Sequence, residues 1–457
     1  MLKPDVKSQL KTIVGRERFL DAPEDILSYA YDAYVAECVP EAVIFPVNSE
    51  EVAHILALAS KERIPVTARG AGTSLSGGAV PARQGLALCF TQMNKILQIS
   101  TRDRYAIVQP GVVNGDLQKA LGRERFFYPP DPASFTVSTI GGNVGENAGG
   151  PRCLKYGVTA DYVMGLEVVL ASGKIIRSGS RNVKDVSGYN LTSLFCGSEG
   201  TLGLVTEITL KIMPLPEAHR TILAIYDDLE KTANTVADII GSGILPVALE
   251  LMDKTVINVV EDATQLGLPR EAEGMLLIEV DGITEAVEKE MNRIVAKTRN
   301  NGAIEVKQAR TQAETDDLWK ARRSTYSAFA RLAPTCIVED ATVPVSNVPR
   351  MVGGIRAIAD KHKVRIGILA HAGDGNMHPV ISTDIRNKEE WARVQTATRE
   401  IFELAVSLDG TLSGEHGIGL AKAEFLPLVT NADTREFMAA LKKTVDPHGI
   451  LNPGKFV

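Results

Sequence analysis

Two glycine-rich stretches constrain this chain more than any other feature of it. One is ARGAGTSLSGGAV, residues 68–80, which follows the strand-like IPVT; the other is STIGGNVGENAGG, residues 138–150, preceded by YPPDPAS. In the second, Gly141, Gly142, Gly145, Gly149 and Gly150 fall within ten residues. Glycine loses more conformational freedom on ordering than any other residue, so such density implies positive φ or close backbone approach. Consecutive N–H groups without intervening side chains form a concave anion nest. Two familiar phosphate loops are excluded by inspection. No Gly-Lys-Ser/Thr follows, as a P-loop requires, and the series Gly70, Gly72 meets Leu75 where a dinucleotide fingerprint needs its third glycine. Tight turns around a β-rich layer are the competing reading, although turns need single glycines rather than clusters.

A length of 457 residues predicts two or three domains. With 44% hydrophobic and 23% charged residues the chain can build ordinary cores. A net charge of −6 gives no global electrostatic reason to bind nucleic acid. No apolar run reaches membrane-spanning length, and residues 1–10 carry Asp5 among lysines without a signal-peptide core. A cytoplasmic protein is expected, with a peripheral station at the inner membrane face left open. Five scattered cysteines without a C-x-x-C pair read as small buried side chains in a reducing compartment, so any iron–sulfur chemistry belongs to another chain.

Residues 1 to about 40 read as helical and peripheral. From Ala42 to about Met213, β-branched runs alternate with glycine turns. EAVIFPV and IPVTARG flank SEEVAHILALASKE, a helical segment for which Ser49 is the expected N-cap. VVLASGKIIRS carries Ser172-Gly173 as a hairpin signal. Pro214 and Pro216 discourage continued sheet and suggest a boundary. Strands mixed with long amphipathic helices follow, which suggests helices on one face of an antiparallel sheet. The fold class is therefore α+β, with domains expected over 1–215 and 216–410 and a closing segment over 411–457.

Seven histidines are present, and His371 and His378 flank AGDGNM. With Asp374-Gly375 as a two-residue turn, His371 would face His378 across antiparallel strands, β-carbons about 4.5–5.5 Å apart. A carboxylate from elsewhere would complete a set suited to zinc or another divalent transition metal. The bland reading is two polar residues at a strand end. The Glu415-His416 dipeptide inside the glycine-rich SGEHGIG weighs against it. Arg322 and Arg323 in LWKARRSTYSAF, taken alone, read as a solvated helix face, as two adjacent helical arginines more often are.

Three ordered motifs, PVTARGAGTSLSGGAV, YPPDPAS with STIGGNVGENAGG, and LFCGSEGTLGLVTEITLK, resemble the FAD-binding half of the vanillyl-alcohol oxidase and p-cresol methylhydroxylase flavoproteins. HAGDGNMHP, SGEHGIGLAK and LNPGKF extend the resemblance to nearly the whole chain. They point to FAD-linked dehydrogenases such as the flavin subunit of bacterial glycolate oxidase and the D-lactate and D-2-hydroxyglutarate enzymes. The resemblance implies a two-part FAD-binding domain, a substrate or cap domain, and a C-terminal segment that completes the active site. Arg69, Gly70, Ala71, Gly72, Thr73, Ser74 and Gly77 would wrap the pyrophosphate. Pro130 and Asp131, with Thr139, Gly142, Asn143, Asn147 and Ala148, would line the flavin and ribityl path. Glu199, Gly200 and Val205 would border the nucleotide end, and Asn452 would lie near the ring. Members with covalent flavin carry a histidine in the first loop; Thr73 and Ser74 stand there instead, which implies noncovalent FAD.

The same resemblance implies His371, His378 and Glu415 as ligands of a zinc, manganese or iron ion. It makes His416 the base and Arg322 the grip on the substrate carboxylate. The expected reaction is oxidation of a small D-2-hydroxy acid by hydride transfer to flavin N5. Apolar Pro379, Val380 and Val338 favour glycolate or D-lactate over D-2-hydroxyglutarate. A redox-neutral flavin transferase is the rival within the superfamily, and a metal hydrolase would leave the glycines unexplained. No cluster, haem or dinucleotide motif is present, so electrons would pass to an iron–sulfur subunit, an electron-transferring flavoprotein or a quinone. A homodimer is compatible with all of this.

Overall fold

A computed structural model describes residues 2–456. The chain forms two compact units. The first comprises Met1–Gly149, Val158–Leu215 and Glu415–Val457; the second comprises Gly150–Gly157 and Pro216–Gly414. Among the described residues, no helix is long and apolar enough to cross a membrane.

In the first unit a parallel core sheet places Leu86–Cys89 between Ala42–Ile44 and Val66–Arg69. The helix Ser49–Glu62 makes the crossover, and its Val52, Ile55, Leu56 and Ala59 are fully buried. Burying each of the larger three contributes roughly 1.5–3 kcal/mol. The helix is capped one residue earlier than the sequence suggests. Asn48, in extended conformation, accepts from the Glu51 N–H at 2.8 Å. Ser49 is already helical, and its hydroxyl donates to Glu167. A second, antiparallel sheet runs Ile96–Ser100, Tyr105–Val108, Leu204–Lys211, Val163–Val169, Ile175–Gly179. In the hairpin after Val169 five residues, Leu170–Lys174, lie between the last ladder pair, and Leu170 N–H donates to the Lys174 carbonyl at the neck. The last part of the chain enters this core: Leu451 bridges Val66, and both are fully buried.

The second unit is built on an eight-stranded sheet in which every pairing is antiparallel. Its centre is Gly274–Gly282, Ala248–Asp253, Ile366–His371 and Asn376–Thr383. All residues of Ala248–Asp253 are buried, so both faces are covered there, not one. Helices Lys254–Thr264 and Thr325–Phe329 share a core with Met252, Met275 and Leu369. Helices Leu229–Gly241 and Thr284–Asn300 pack on strands Ala218–Tyr226 and Gly274–Gly282. Residues 150–157 belong here and not with the sequence on either side. Lys155 and Tyr156 both bond Asp281, the tyrosine hydroxyl at 2.7 Å.

Candidate active site

The strand Val66–Arg69 delivers the first glycine loop, and packing accounts for part of its composition. A Cβ on Gly70 would stand 2.1 Å from Thr139 Oγ1, so the two glycine stretches touch through a residue that can have no side chain. Gly72 has φ +73°, with Arg69 Nη2 against it, and Arg69 is held by the Tyr31 carbonyl at 2.7 Å. Ser74 Oγ accepts from the Ser76 and Gly78 N–H groups, which closes the loop on itself. Ala71 and Thr73 are half-buried beside it, and Gly77, at φ +81°, faces Leu420.

Thr139 caps the short helix Ile140–Glu146 by accepting from Gly142 N–H. Gly141 is there because Pro110 would meet its Cβ at 2.4 Å. Gly145 differs: nothing lies within 4 Å of where its Cβ would be, and Gly142 is exposed. These two leave backbone open to a ligand, as a cradle for an extended cofactor requires. Asn143 is buried and receives Asn114 Nδ2 at 3.2 Å; the same amide reaches the Pro130 carbonyl at 3.2 Å. Asp131 follows directly. Asn147 takes the left-handed conformation, φ 54°, and its Oδ1 accepts from Ala160, while the Ala148 carbonyl accepts from Thr159.

The third motif lies along the second. Gly197 and Glu199 N–H groups donate to Val144 and Gly145 carbonyls at 2.8 Å each. Gly200 follows at φ +67°, and Val205 continues into sheet opposite Val168. Asn452 then ties first and third motifs together, its Nδ2 donating to Gly78 O at 3.0 Å and Glu199 O at 2.7 Å. Lys455, buried behind it, donates to Asn452 Oδ1 at 2.8 Å, and burial pushes its ammonium down to about 8.

The loop that carries His416 is fixed by the same group of residues. The Glu199 carboxylate accepts from Ile418 N–H at 2.7 Å and Gly419 N–H at 2.8 Å. Gly417, φ +79°, sits between two carboxyls: its Cβ would be 2.1 Å from Glu146 Oε2 and 2.9 Å from Glu199 Oε1. Burial raises both carboxyls, and the neighbouring Glu199 raises Glu146 further. His416 Nε2 stands 3.9 Å from Glu415 Oε1, beyond hydrogen-bonding distance.

In the second unit the histidine hairpin is out of its expected register. His371 pairs with Asn376 and His378 with Leu369, so the loop is Ala372–Gly375, four residues displaced toward the first strand. Asp374 Oδ1 accepts from the Asn376 N–H, and Gly375, φ +82°, packs on the Val343 carbonyl. The histidines are diagonal neighbours on one face, rings 5.0 Å apart at 87°. Each has an acceptor at Nδ1. Glu250 Oε1 lies 2.8 Å from His371, and the Glu339 carbonyl lies 3.3 Å from His378. An acceptor at Nδ1 draws the ring hydrogen there, which puts the imidazole lone pair on Nε2 in both rings. Glu415 directly follows Gly414, whose N–H is held by Asp340. Ligand atoms of His371, His378 and Glu415 lie within 4.8 Å of one another. Two imidazoles and a carboxylate are a donor set that fits a divalent ion with open positions. Arg322 is buried, its Nε on Glu250 Oε2 at 2.6 Å. Burial alone would raise Glu250, but His371 and Arg322 outweigh it and hold that carboxyl low.

Residues 215–456 match the family described as FAD linked oxidases, C-terminal domain, and residues 40–179 match the FAD binding domain. The chain belongs to the FAD-linked oxidases. It is 50% identical over 456 residues to the glycolate oxidase subunit GlcD of Bacillus subtilis (strain 168), covering 100% of this chain and 97% of the relative. It is 36% identical to the D-lactate dehydrogenase of Archaeoglobus fulgidus over 96% of this chain and 95% of that one. Among solved structures, p-cresol methylhydroxylase with substrate bound superposes with a TM-score of 0.83 at 16% identity, covering 99% and 96%, a likeness of fold alone. For this FAD-linked oxidase the motif residues were visible in sequence as clusters. Asn114 and Glu250 were not, because each acts on partners far along the chain; Glu146 and Lys455 lie inside STIGGNVGENAGG and LNPGKF, with no signal of their own there.

Proposed function

We propose that this FAD-linked oxidase converts a small D-2-hydroxy acid, glycolate or D-lactate, to the 2-oxo acid. The observation that carries this reading is full-length similarity, at 50% identity, to a glycolate oxidase subunit. The D-lactate dehydrogenase relatives support the same substrate class. FAD, when bound, supplies the two-electron acceptor for the substrate α-hydrogen. Gly142 and Gly145 present open backbone to it, and Thr139, Asn143, Glu199 and Asn452 order the loops around it. Thr73 and Ser74 offer no imidazole for a covalent link, so the cofactor is held noncovalently.

His371, His378 and Glu415 hold a divalent ion, zinc, manganese or iron, which supplies Lewis acidity toward the substrate oxygens. His416 accepts the hydroxyl proton. Arg322, oriented by Glu250, binds the carboxylate through its remaining N–H groups. Pro379 and Val380, both buried, supply no partner for a second carboxylate. Electrons then leave to a separate acceptor, an iron–sulfur subunit, an electron-transferring flavoprotein or a quinone. The word subunit in the relatives' names supports a protein partner. The enzyme is placed in the cytoplasm, at most peripheral to the inner membrane face, and a homodimer is compatible with this reading.

Anaerobic mixing with a panel of 2-hydroxy acids tests the assignment. Glycolate or D-lactate should bleach the flavin absorbance and L-lactate should not; D-2-hydroxyglutarate as much the best substrate would overturn it. Acid precipitation should leave the flavin in the supernatant. A yellow pellet would contradict noncovalent binding.

A further inference from the structure

We infer that Glu250 is a positioning residue that aims two functional side chains at once, His371 toward the metal and Arg322 toward the substrate anion. The inference rests on the metal reading given above. Glu250 lies directly opposite His371 in the register between Ala248–Asp253 and Ile366–His371, so both side chains project from the same face of the sheet. It is wholly buried, and a carboxylate in that setting is expensive unless its oxygens are occupied. Both are. His371 Nδ1 lies 2.8 Å from Oε1 and 2.9 Å from Oε2, and Arg322 Nε lies 2.6 Å from Oε2.

These distances decide which ring nitrogen carries the hydrogen. Arg322 Nη2 also approaches Nδ1, but at 3.4 Å, which is a weaker claim than two carboxylate oxygens inside 3 Å. A bare lone pair at Nδ1 would face both anionic oxygens, whereas an N–H there satisfies them. His371 therefore carries its hydrogen on Nδ1 and offers Nε2, the arrangement of a carboxylate–histidine–metal triad. The same carboxylate fixes the Arg322 guanidinium by Nε and leaves its Nη edge for an anion. His378 Nδ1 faces the Glu339 carbonyl at 3.3 Å in the corresponding place, so a carboxylate orients one metal histidine and a backbone carbonyl the other. Removal of a partner of this kind weakens metal affinity by about 10–100-fold.

The test uses the full chain with flavin retained and metal stripped by a chelator, titrated with zinc against a fluorescent competitor. Glu250→Gln keeps the shape, but its amide can donate to Nδ1 and favours the wrong tautomer. Zinc should bind ten- to a hundredfold more weakly than to the wild type, and imidazole nitrogen NMR of the metal-free protein should show loss of the Nδ1–H form at His371. Because Glu250→Gln leaves Arg322 buried and unpaired, the double variant Glu250→Gln/Arg322→Gln is measured beside it. It removes one charge of each sign, so a comparable fall in zinc affinity reports orientation and not net charge. Unchanged zinc affinity in the folded double variant would overturn the inference while leaving the metal site standing. Failure of the wild type to bind one zinc would remove the metal reading itself, and this inference with it.

Discussion

His416 owes its place to its neighbours. Glu199 holds the N–H groups two and three residues on, and Gly417 fills the gap between two carboxyls. His416→Ala should therefore leave flavin bound and cut its reduction by substrate by about 10²–10⁴-fold, read in stopped flow; wild-type rates would refute the role of base. Gly417→Ala should act differently. A Cβ there meets Glu146 at 2.1 Å in a left-handed backbone, so the protein should melt a few degrees lower and reduce slowly even with His416 intact. At this scale the sequence was readable where chemistry is local. SGEHGIG and HAGDGNMH announce themselves within ten residues. Glu250 does not, because its partners Arg322 and His371 lie 72 and 121 positions away and no periodicity links them.

Elements were legible in kind and shifted at their edges. The hairpin around His371 was evident from Asp374-Gly375, yet its pairing moved by two residues because Asp374 caps the turn through its side chain and Gly375 is wedged on Val343. A shift of two preserves the face, which is why the histidines still meet. Helix Lys254–Thr264 yields a test of its own. Its N-cap Asp253 accepts from Val256 N–H, yet burial pushes that carboxyl up to about 6. Its unfolded value is near 3.8, so the stability it contributes is complete below pH about 4 and is lost as pH rises through about 6. Asp253→Asn keeps the cap and has no charge to bury. Its melting temperature should gain on the wild type between pH 4 and pH 7, and a gap independent of pH would count against the assignment.

The molecule as a whole is assembled from interrupted stretches of chain. Four peptide bonds, after residues 149, 157, 215 and 414, carry it from one unit to the other. Pro214 and Pro216 stand at the third crossing, whereas the first falls on Gly149-Gly150 of the cradle motif and the second on the lone Gly157. Asp446, Leu451 and Asn452 anchor the final segment: Asp446 accepts from Ile450 and Leu451 N–H, and Asn452 N–H donates to Val66 O. Deleting residues 446–457 should thus yield protein that purifies without flavin absorbance; full flavin content after that deletion would show the anchors to be dispensable.

The bridge between Val66 and Leu451 also sets an order of events in the cell. A ribosome makes the strand that holds the first glycine loop, then the entire second unit, and only then the residues that close the core around that strand. The first unit cannot close its core around that strand until residues 446–452 have been made, so a chain cut short before Leu451 should carry most of its mass and little flavin.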